Sequence, residues 1–302
     1  VNAERILVTG GGGLIGRAVV RVLRERGADV IVLDAGDRPA GDELASDWIT
    51  GSVTDLATVE RAVSTADRVV HLAGRAGLDQ GTGPEIYETN TLGTFLVIDA
   101  AARAGVRSIV YASSINANGL PLNPHAVLPQ RYPWDEDEPP AIADPYSLSK
   151  HANEAAALAI HRRYDVAVVG LRYPLVRDIT VDEGTVFARH VRAAMRDDPR
   201  RQACEGWTYL DVRDAATATV LALTSDAPAW PGILVANPNT YLREPTETAL
   251  VRFAPAVPRD EIRGRAVPVS LARAERDLGF RATVHLEDLG EDLLVGLEEV
   301  AA

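Results

Sequence analysis

Tyr146 and Lys150 stand four residues apart in the run Tyr146-Ser147-Leu148-Ser149-Lys150. The surrounding segment has helical period, so the two side chains share one helix face. A phenol beside an ammonium is a candidate acid–base pair. Free tyrosine has a pKa near 10, too high for a base at neutral pH, and adjacent positive charge favours the phenolate. Such a phenol can take the proton of an alcohol, provided that a hydride acceptor lies beside it. A serine hydroxyl could then hold the alcohol oxygen, and Ser113 and Ser114 both fall where a strand-like run ends. By itself a Tyr–x–x–x–Lys pair is a common accident of helix surfaces, so the rest of the chain must supply the acceptor.

Thr9-Gly10-Gly11-Gly12-Gly13-Leu14-Ile15-Gly16 supplies the place for one. It follows a short apolar run and opens a helical one. Gly10 permits a sharp turn, Gly13 lets the backbone approach a pyrophosphate, and Gly16 lets the helix pack on the strand. The amides that open the helix, from Leu14 and Ile15 onward, present partial positive charge to phosphate. Asp34 ends the second apolar run, 18 residues past Gly16, near the spacing of a carboxylate that holds the adenosine ribose hydroxyls. Alternatively, Asp34 only caps the turn before Gly36. A carboxylate there repels a 2′-phosphate and favours NAD over NADP, with Arg38 nearby arguing the other way. A bound nicotinamide accepts hydride, and its positive charge adds to that of Lys150 in acidifying Tyr146.

The elements that must position these groups can be read from the hydrophobic pattern. Strands are expected at Arg5–Thr9, Asp29–Asp34, Arg68–Leu72, Ser108–Ala112 and Val166–Arg172. Helices are expected at Leu14–Arg26, Pro84–Ala104 and Tyr146–Arg163. Continuous Val/Ile/Leu runs alternating with helices predict an α/β fold with a doubly wound parallel sheet of the Rossmann kind, its ligand loops on one edge. Leu120–Pro145 reads as a long irregular loop, and such loops are usually functional. Helical pattern is also present near Thr185–Asp197, Glu244–Ala254, Leu271–Gly279 and Leu286–Val300. The expected division is a dinucleotide-binding domain over 1–173, with 211–237 returning to it as a helix and a strand. Residues 174–210 and 238–302 then form a smaller substrate-binding C-terminal lobe.

The Thr-Gly-x-x-Gly-x-x-Gly spacing, followed by the serine-bearing strand end and the Tyr/Lys pair, resembles the extended short-chain dehydrogenase/reductases, the NAD-dependent epimerase/dehydratase family. The resemblance covers most of residues 1–225. It implies that Ser114, aligned on Gly119, is the catalytic serine, with Tyr146 and Lys150 completing the set. It also implies that Ser52 and Val53 lie near the adenine, Ser52 replacing the family's acid. Leu72-Ala73-Gly74 would run along the cofactor, Asn90 would support the site, and Tyr173 would flank the nicotinamide. His71 reads better as a buried, satisfied strand histidine. Family members dimerise through the helix pair found here at Pro84–Ala104 and Tyr146–Arg163. A homodimer is therefore expected, with Ala152, Ala155, Ala156 and Ala159 small enough for close approach unless they face the sheet.

The resemblance also narrows the reaction. Dehydratases of the family carry Asp and Glu directly after the catalytic hydroxyl residue; here those positions are Ile115 and Asn116, which cannot transfer the proton. Epimerases of uridine-linked sugars have an asparagine where Leu175 stands and an Arg-Asp pair where Trp207-Thr208 stands. Arg177 and Arg213 could replace the lost contacts, could bind a carboxylate, or could be plain surface residues. Asn116 and Asn118 suit hydroxyl recognition or merely shape the loop. The expected function is oxidation of a secondary hydroxyl on a sugar or uronate-like substrate with NAD. A nucleotide-sugar 4-epimerase with tightly retained NAD is the alternative, and a non-catalytic NAD sensor a more distant one.

Composition excludes other classes. The net charge of −12 over 302 residues leaves nothing to neutralise a nucleic-acid backbone. No apolar run is long enough to span a bilayer, and no cleavable leader precedes Arg5. Cys204 is the only cysteine, which suits a reducing, cytoplasmic setting. No metal is expected.

Overall fold

The computed structural model describes residues 3–125, 127–225 and 229–300; the outer limits expected for the two regions, 1 and 302, lie outside them. Strands β1 (Arg5–Thr9), β2 (Asp29–Asp34), β3 (Asp47–Thr50), β4 (Arg68–His71), β5 (Ser108–Ser114) and β6 (Ala167–Tyr173) are followed by β7 (Leu175–Arg177), β8 (Tyr209–Asp211) and β9 (Ala229–Leu234). Seven of them form one sheet in the order β3-β2-β1-β4-β5-β6-β9, with every neighbouring pair parallel. The short β7 and β8 pair in parallel outside it. Helices α1 (Leu14–Glu25), α2 (Leu56–Val63), α3 (Gly83–Arg103), α4 (Pro145–Tyr164) and α5 (Thr185–Asp197) precede α6 (Pro199–Glu205), α7 (Val212–Thr224), α8 (Thr246–Phe253) and α9 (Ala272–Leu278).

Strand alternation sorts the sheet's side chains onto two covered faces. Ile6, Val8, Val30 and Val32 point to the face packed by α1 and α7, through Val19, Leu23, Ala216 and Leu223. Leu7, Ile31, Leu33 and Ile109 point to the opposite face, against Val59 of α2, Val97 and Ile98 of α3 and Ala157 and Ile160 of α4. The chain after β6, joined by Tyr132 and Trp134 of the long loop, builds another core around Phe187, Trp207, Tyr209, Tyr241 and Leu250.

The expected loop Leu120–Pro145 runs into α4 at Pro145; its other described residues are irregular apart from turns and the isolated bridges of Tyr132 and Trp134, and Glu136 fastens it to the sheet. Its Oε1 accepts the Leu234 N–H at 2.9 Å, and its carbonyl accepts from Arg172 at 3.1 Å. One expected helix is corrected. Leu286–Val300 is three single 3₁₀ turns (Leu286–Asp288, Glu291–Leu293, Leu297–Glu299). Gly290 at φ 157° breaks the run, and Leu286, Leu293, Leu294 and Leu297 are all buried, more apolar surface than one stripe of a helix presents to a core.

Candidate active site

The turn after β1 is packed as tightly as its glycines suggest. Gly10 has φ +71°, and a Cβ there would lie 2.6 Å from the Ala73 nitrogen. A Cβ on Gly16 would lie 2.1 Å from the Gly10 carbonyl oxygen. Gly13 differs: it caps α1 without a side-chain hydrogen bond, and a Cβ on it would meet only the Gly10 oxygen, at 3.3 Å. Its missing side chain therefore leaves free space above the first amides of α1, which have no intrahelical acceptors. A phosphate fits that space and that polarity.

A cleft of about 770 Å³ opens there, at the carboxyl edge of the sheet, and brings together Gly10, Gly13, Leu14, Ile15, Gly16, Leu72, Gly74, Ser114, Asn116, Tyr146, Lys150, Tyr173 and Arg177. A wider, more open depression of about 1050 Å³ lies at the opposite edge, lined by Glu4, Arg5, Arg24 and Arg107. Its charges are already paired, Arg5 with Asp29 and Arg107 with Glu4, and open parallel sheets bind ligands at the other end.

Six of the expected residues do not line the cleft. Asp34 accepts from Gly12 N and Gly36 N, both at 2.9 Å, so it shapes both turns while each oxygen keeps a free lone pair. Arg38 is folded back onto the Asp42 and Ala45 carbonyls, away from a role as phosphate receptor. Ser52 caps its own turn through Thr54, and Val53 is buried where Gly93 leaves room for it. Ala73 packs against Gly10. Asn90 accepts from Arg75 N at 2.7 Å and donates to Ser149 Oγ at 3.1 Å, and Ser149 in turn donates to the Tyr146 carbonyl at 2.7 Å. Asn90 thus ties the loop after β4 to the first turn of α4. Arg213 pairs with the fully buried Asp211 at 2.6 Å and 3.0 Å and points elsewhere.

Tyr146 and Lys150 lie on the same face of α4, which Asp144 caps by accepting the Ser147 N–H at 2.8 Å. Both side chains are buried and line the cleft with Ser114, whose hydroxyl accepts the Asn116 N–H at 3.1 Å. The neighbouring Ser113 is spoken for: its hydroxyl donates to Glu154 at 2.6 Å, inside a buried ion pair with Arg172. Lys150 Nζ donates to the Ala112 carbonyl at 2.9 Å and lies 5.7 Å from the centre of the Tyr146 ring. Tyr173 shares its hydroxyl with Thr219 at 2.6 Å and offers its ring to the cleft. His71 is buried between Thr9 and Thr94, 2.7 and 2.9 Å away, and burial pushes its pKa down to about 3.

The expected acidic phenol is corrected in one respect. Burial pushes Tyr146 up to about 12, against the opposing influence of the neighbouring Ser114 hydroxyl. The same burial pushes Lys150 down to about 8, so its ammonium is a weakened counter-charge. Desolvation outweighs what the chain's own groups supply, and acidifying Tyr146 requires further positive charge in the cleft.

The far wall of the cleft was not legible in the sequence. His190 of α5 and Arg201 and Glu205 of α6 line it beside Arg177. The only signal was the i, i+4 spacing of Arg201 and Glu205, which form an ion pair at 3.0 Å. Such spacing is common on solvated helices.

A sequence model of the NAD dependent epimerase/dehydratase family matches residues 6–235, and the chain belongs to that family, within the extended short-chain dehydrogenase/reductases. It is 33% identical over 184 residues to a dTDP-glucose 4,6-dehydratase of Streptomyces niveus, covering 56% of this chain and 52% of that one. It is 32% identical over 173 residues to a 2-alkyl-3-oxoalkanoate reductase of Stenotrophomonas maltophilia, covering 57% and 51%. These matches span about half the relatives' length. Cinnamoyl-CoA reductase 1 of Petunia hybrida is 27% identical over 94% of this chain and 89% of its own. Among solved structures, a short-chain dehydrogenase/reductase superfamily protein from Agrobacterium tumefaciens with bound NAD superposes with a TM-score of 0.71 at 23% identity, covering 96% of each chain. The UDP-glucose 4-epimerase of Thermotoga maritima with UDP-glucose gives 0.69 at 22% identity, covering 96% and 97%. At these identities the structures establish the shared fold.

Proposed function

We propose that this chain is an NAD-dependent oxidoreductase that oxidises a secondary hydroxyl of a sugar or uronate-like substrate. The observation that carries the reading is that the buried Tyr146, Ser114 and Lys150 side chains line one cleft with the glycine turn. Gly13 and the α1 amides would hold the pyrophosphate, Asp34 the adenosine ribose and Lys150 the nicotinamide ribose, with Ser52, Val53, Leu72, Ala73 and Gly74 along the path. Bound NAD supplies a hydride acceptor and a positive ring. Tyr146 then takes the hydroxyl proton while Ser114 holds the oxygen; reduction runs the same groups backwards. Asp34, and an Arg38 tied to its own loop, favour NAD over NADP.

Asn116 and Arg177 would meet the substrate. Among the described residues Asn116 Oδ1 is buried without a partner, and Arg177 bonds only its own neighbour's carbonyl, at 2.8 Å. Arg213, closed onto Asp211, remains the weaker candidate. Incubating the purified protein with NAD and a panel of uronic acids and nucleotide sugars tests the reading. Oxidation generates NADH in proportion to substrate consumed. The alternative, a nucleotide-sugar 4-epimerase, retains its NAD and shows no net reduction.

A homodimer through α3 and α4 fits the exposed Tyr87, Leu92, Phe95 and Leu148, and Ala155 and Ala159 are exposed beside them. Light scattering at micromolar concentration decides it. Among the described residues no helix is long and apolar enough to cross a membrane; a cytoplasmic setting rests on the lone cysteine.

A further inference from the structure

Glu205 is the one carboxylate among the residues that line the far wall beside Arg177, His190 and Arg201. Only 12% of its side chain is exposed. Arg201 Nε holds Oε1 at 3.0 Å, and among the described residues no donor meets Oε2. The backbone is fixed as well: the Glu205 carbonyl accepts the Thr208 hydroxyl at 2.8 Å, and the preceding turn is tied through Gln202 to Tyr241 at 2.7 Å. A buried carboxylate with one oxygen anchored and one free is a directional acceptor. Its charge is felt by Tyr146 across the cleft, together with that of Asp144.

We propose that Glu205 is a specificity-determining residue, a carboxylate set opposite Tyr146 to accept a second hydroxyl of the substrate and held there by Arg201. The inference rests on the oxidoreductase reading for its substrate and on the geometry alone for its placement. It selects polyols over simple secondary alcohols. A ligand hydroxyl bound at Tyr146 and Ser114 leaves the far side of the same molecule facing α6, where Oε2 is the free acceptor. Arg177 on β7 adds positive charge to the same cleft, which suits a polyol that also carries a carboxylate, while burial lowers the pKa of His190 on α5 and keeps it a neutral hydrogen-bonding group.

The placement has a consequence that needs no substrate. The groups bearing on Tyr146 are Lys150 and Asp144 at its own helix, Ser114 from β5 and Glu205 from α6. Those bearing on Glu205 are Arg201 and Cys204 of α6 and Asp198, which caps it, with Tyr241 and Tyr146 facing it. Replacing a carboxylate by a neutral amide makes the phenolate easier to form. Tetranitromethane attacks phenolates, so nitration of Tyr146 read by peptide mass spectrometry reports the change, with added N-acetyltyrosinamide as internal control. Glu205→Gln should be nitrated at Tyr146 up to about tenfold faster, a shift of roughly one pH unit. Glu205→Asp, which keeps the charge, should stay near the wild-type rate. Equal rates in wild type and Glu205→Gln, or acceleration in both variants, overturn the placement.

Turnover tests recognition. On a uronate oxidised by the wild type, Glu205→Gln should raise KM about tenfold with a smaller change in kcat. It should also lose the wild type's preference for that uronate over one of its monodeoxy analogues. A preference preserved in Glu205→Gln contradicts the proposal. If the wild type oxidises no member of the panel, the oxidoreductase reading fails, while the nitration comparison still decides where Glu205 acts.

Discussion

Lys150 reaches the Ala112 carbonyl, 2.9 Å from its Nζ, and lies over the Tyr146 ring rather than on its hydroxyl. The ammonium is thus buried for the sake of the site and not of the fold. Burial lowers its pKa to about 8 from 10.5, so below pH 8 the native state holds a charge that water would solvate better. Between pH 8 and 10.5 the unfolded chain binds more protons than the native one, so this group's contribution to stability rises with pH there and is most unfavourable below 8. Lys150→Met should abolish turnover yet raise the unfolding free energy at pH 7 by about 1–3 kcal/mol. Denaturant titration at pH 7 and pH 10 checks both the gain and its shrinkage at high pH.

His71 predicts an acid limb. Burial holds it neutral down to about pH 3, from an ordinary 6.5. Between those values the unfolded chain takes up a proton that the native one refuses, so stability falls as pH falls through that window. His71→Asn should flatten the loss between pH 6.5 and 4 by about 1 kcal/mol or more per unit, read by denaturant unfolding across that range.

Ser113 and Ser114 separate structure from chemistry. Ser114→Ala should cut kcat about 10²-fold or more, by analogy with removing a transition-state donor, with little change in stability. Ser113→Ala removes the hydroxyl that donates to Glu154 at 2.6 Å and should cost about 1–2 kcal/mol of stability with a milder effect on turnover. Paired steady-state kinetics and unfolding curves read both.

The glycine turn makes a similar contrast. Gly16→Ala puts a Cβ 2.1 Å from a carbonyl oxygen and should cost about 2 kcal/mol or more. Gly13→Ala presses a Cβ to 3.3 Å from the Gly10 oxygen, a far milder contact, and should cost about 1 kcal/mol or less, while weakening NAD at least severalfold in a calorimetric titration.

The parallel sheet was legible because buried strands such as Arg5–Thr9 and Asp29–Asp34 are continuous apolar runs between glycines. Five elements escaped. β3 is a half-buried edge of four residues; β7 and β8 are three-residue strands; α2 and α6 are helices of eight and seven residues. The proposed catalytic residues could be picked out because their spacing is local, within one helix and at one strand end. The far wall did not. Glu205 and His190 reach the cleft through long-range packing of α5 and α6 against Tyr241 and Tyr209, and no spacing within either helix says which face meets a ligand. Arg213 misled for the same reason: its partner, Asp211, is two residues away but wholly buried, and sequence does not show burial.

The acid–base role of Tyr146 is tested most directly by Tyr146→Phe, with NADH formation followed at 340 nm on any substrate the wild type oxidises and NAD affinity measured by titration in parallel. Retained NAD binding with turnover reduced about 10²-fold or more is the predicted result. A variant that oxidises the substrate at the wild-type rate would contradict it and leave the cleft as a nucleotide-sensing site.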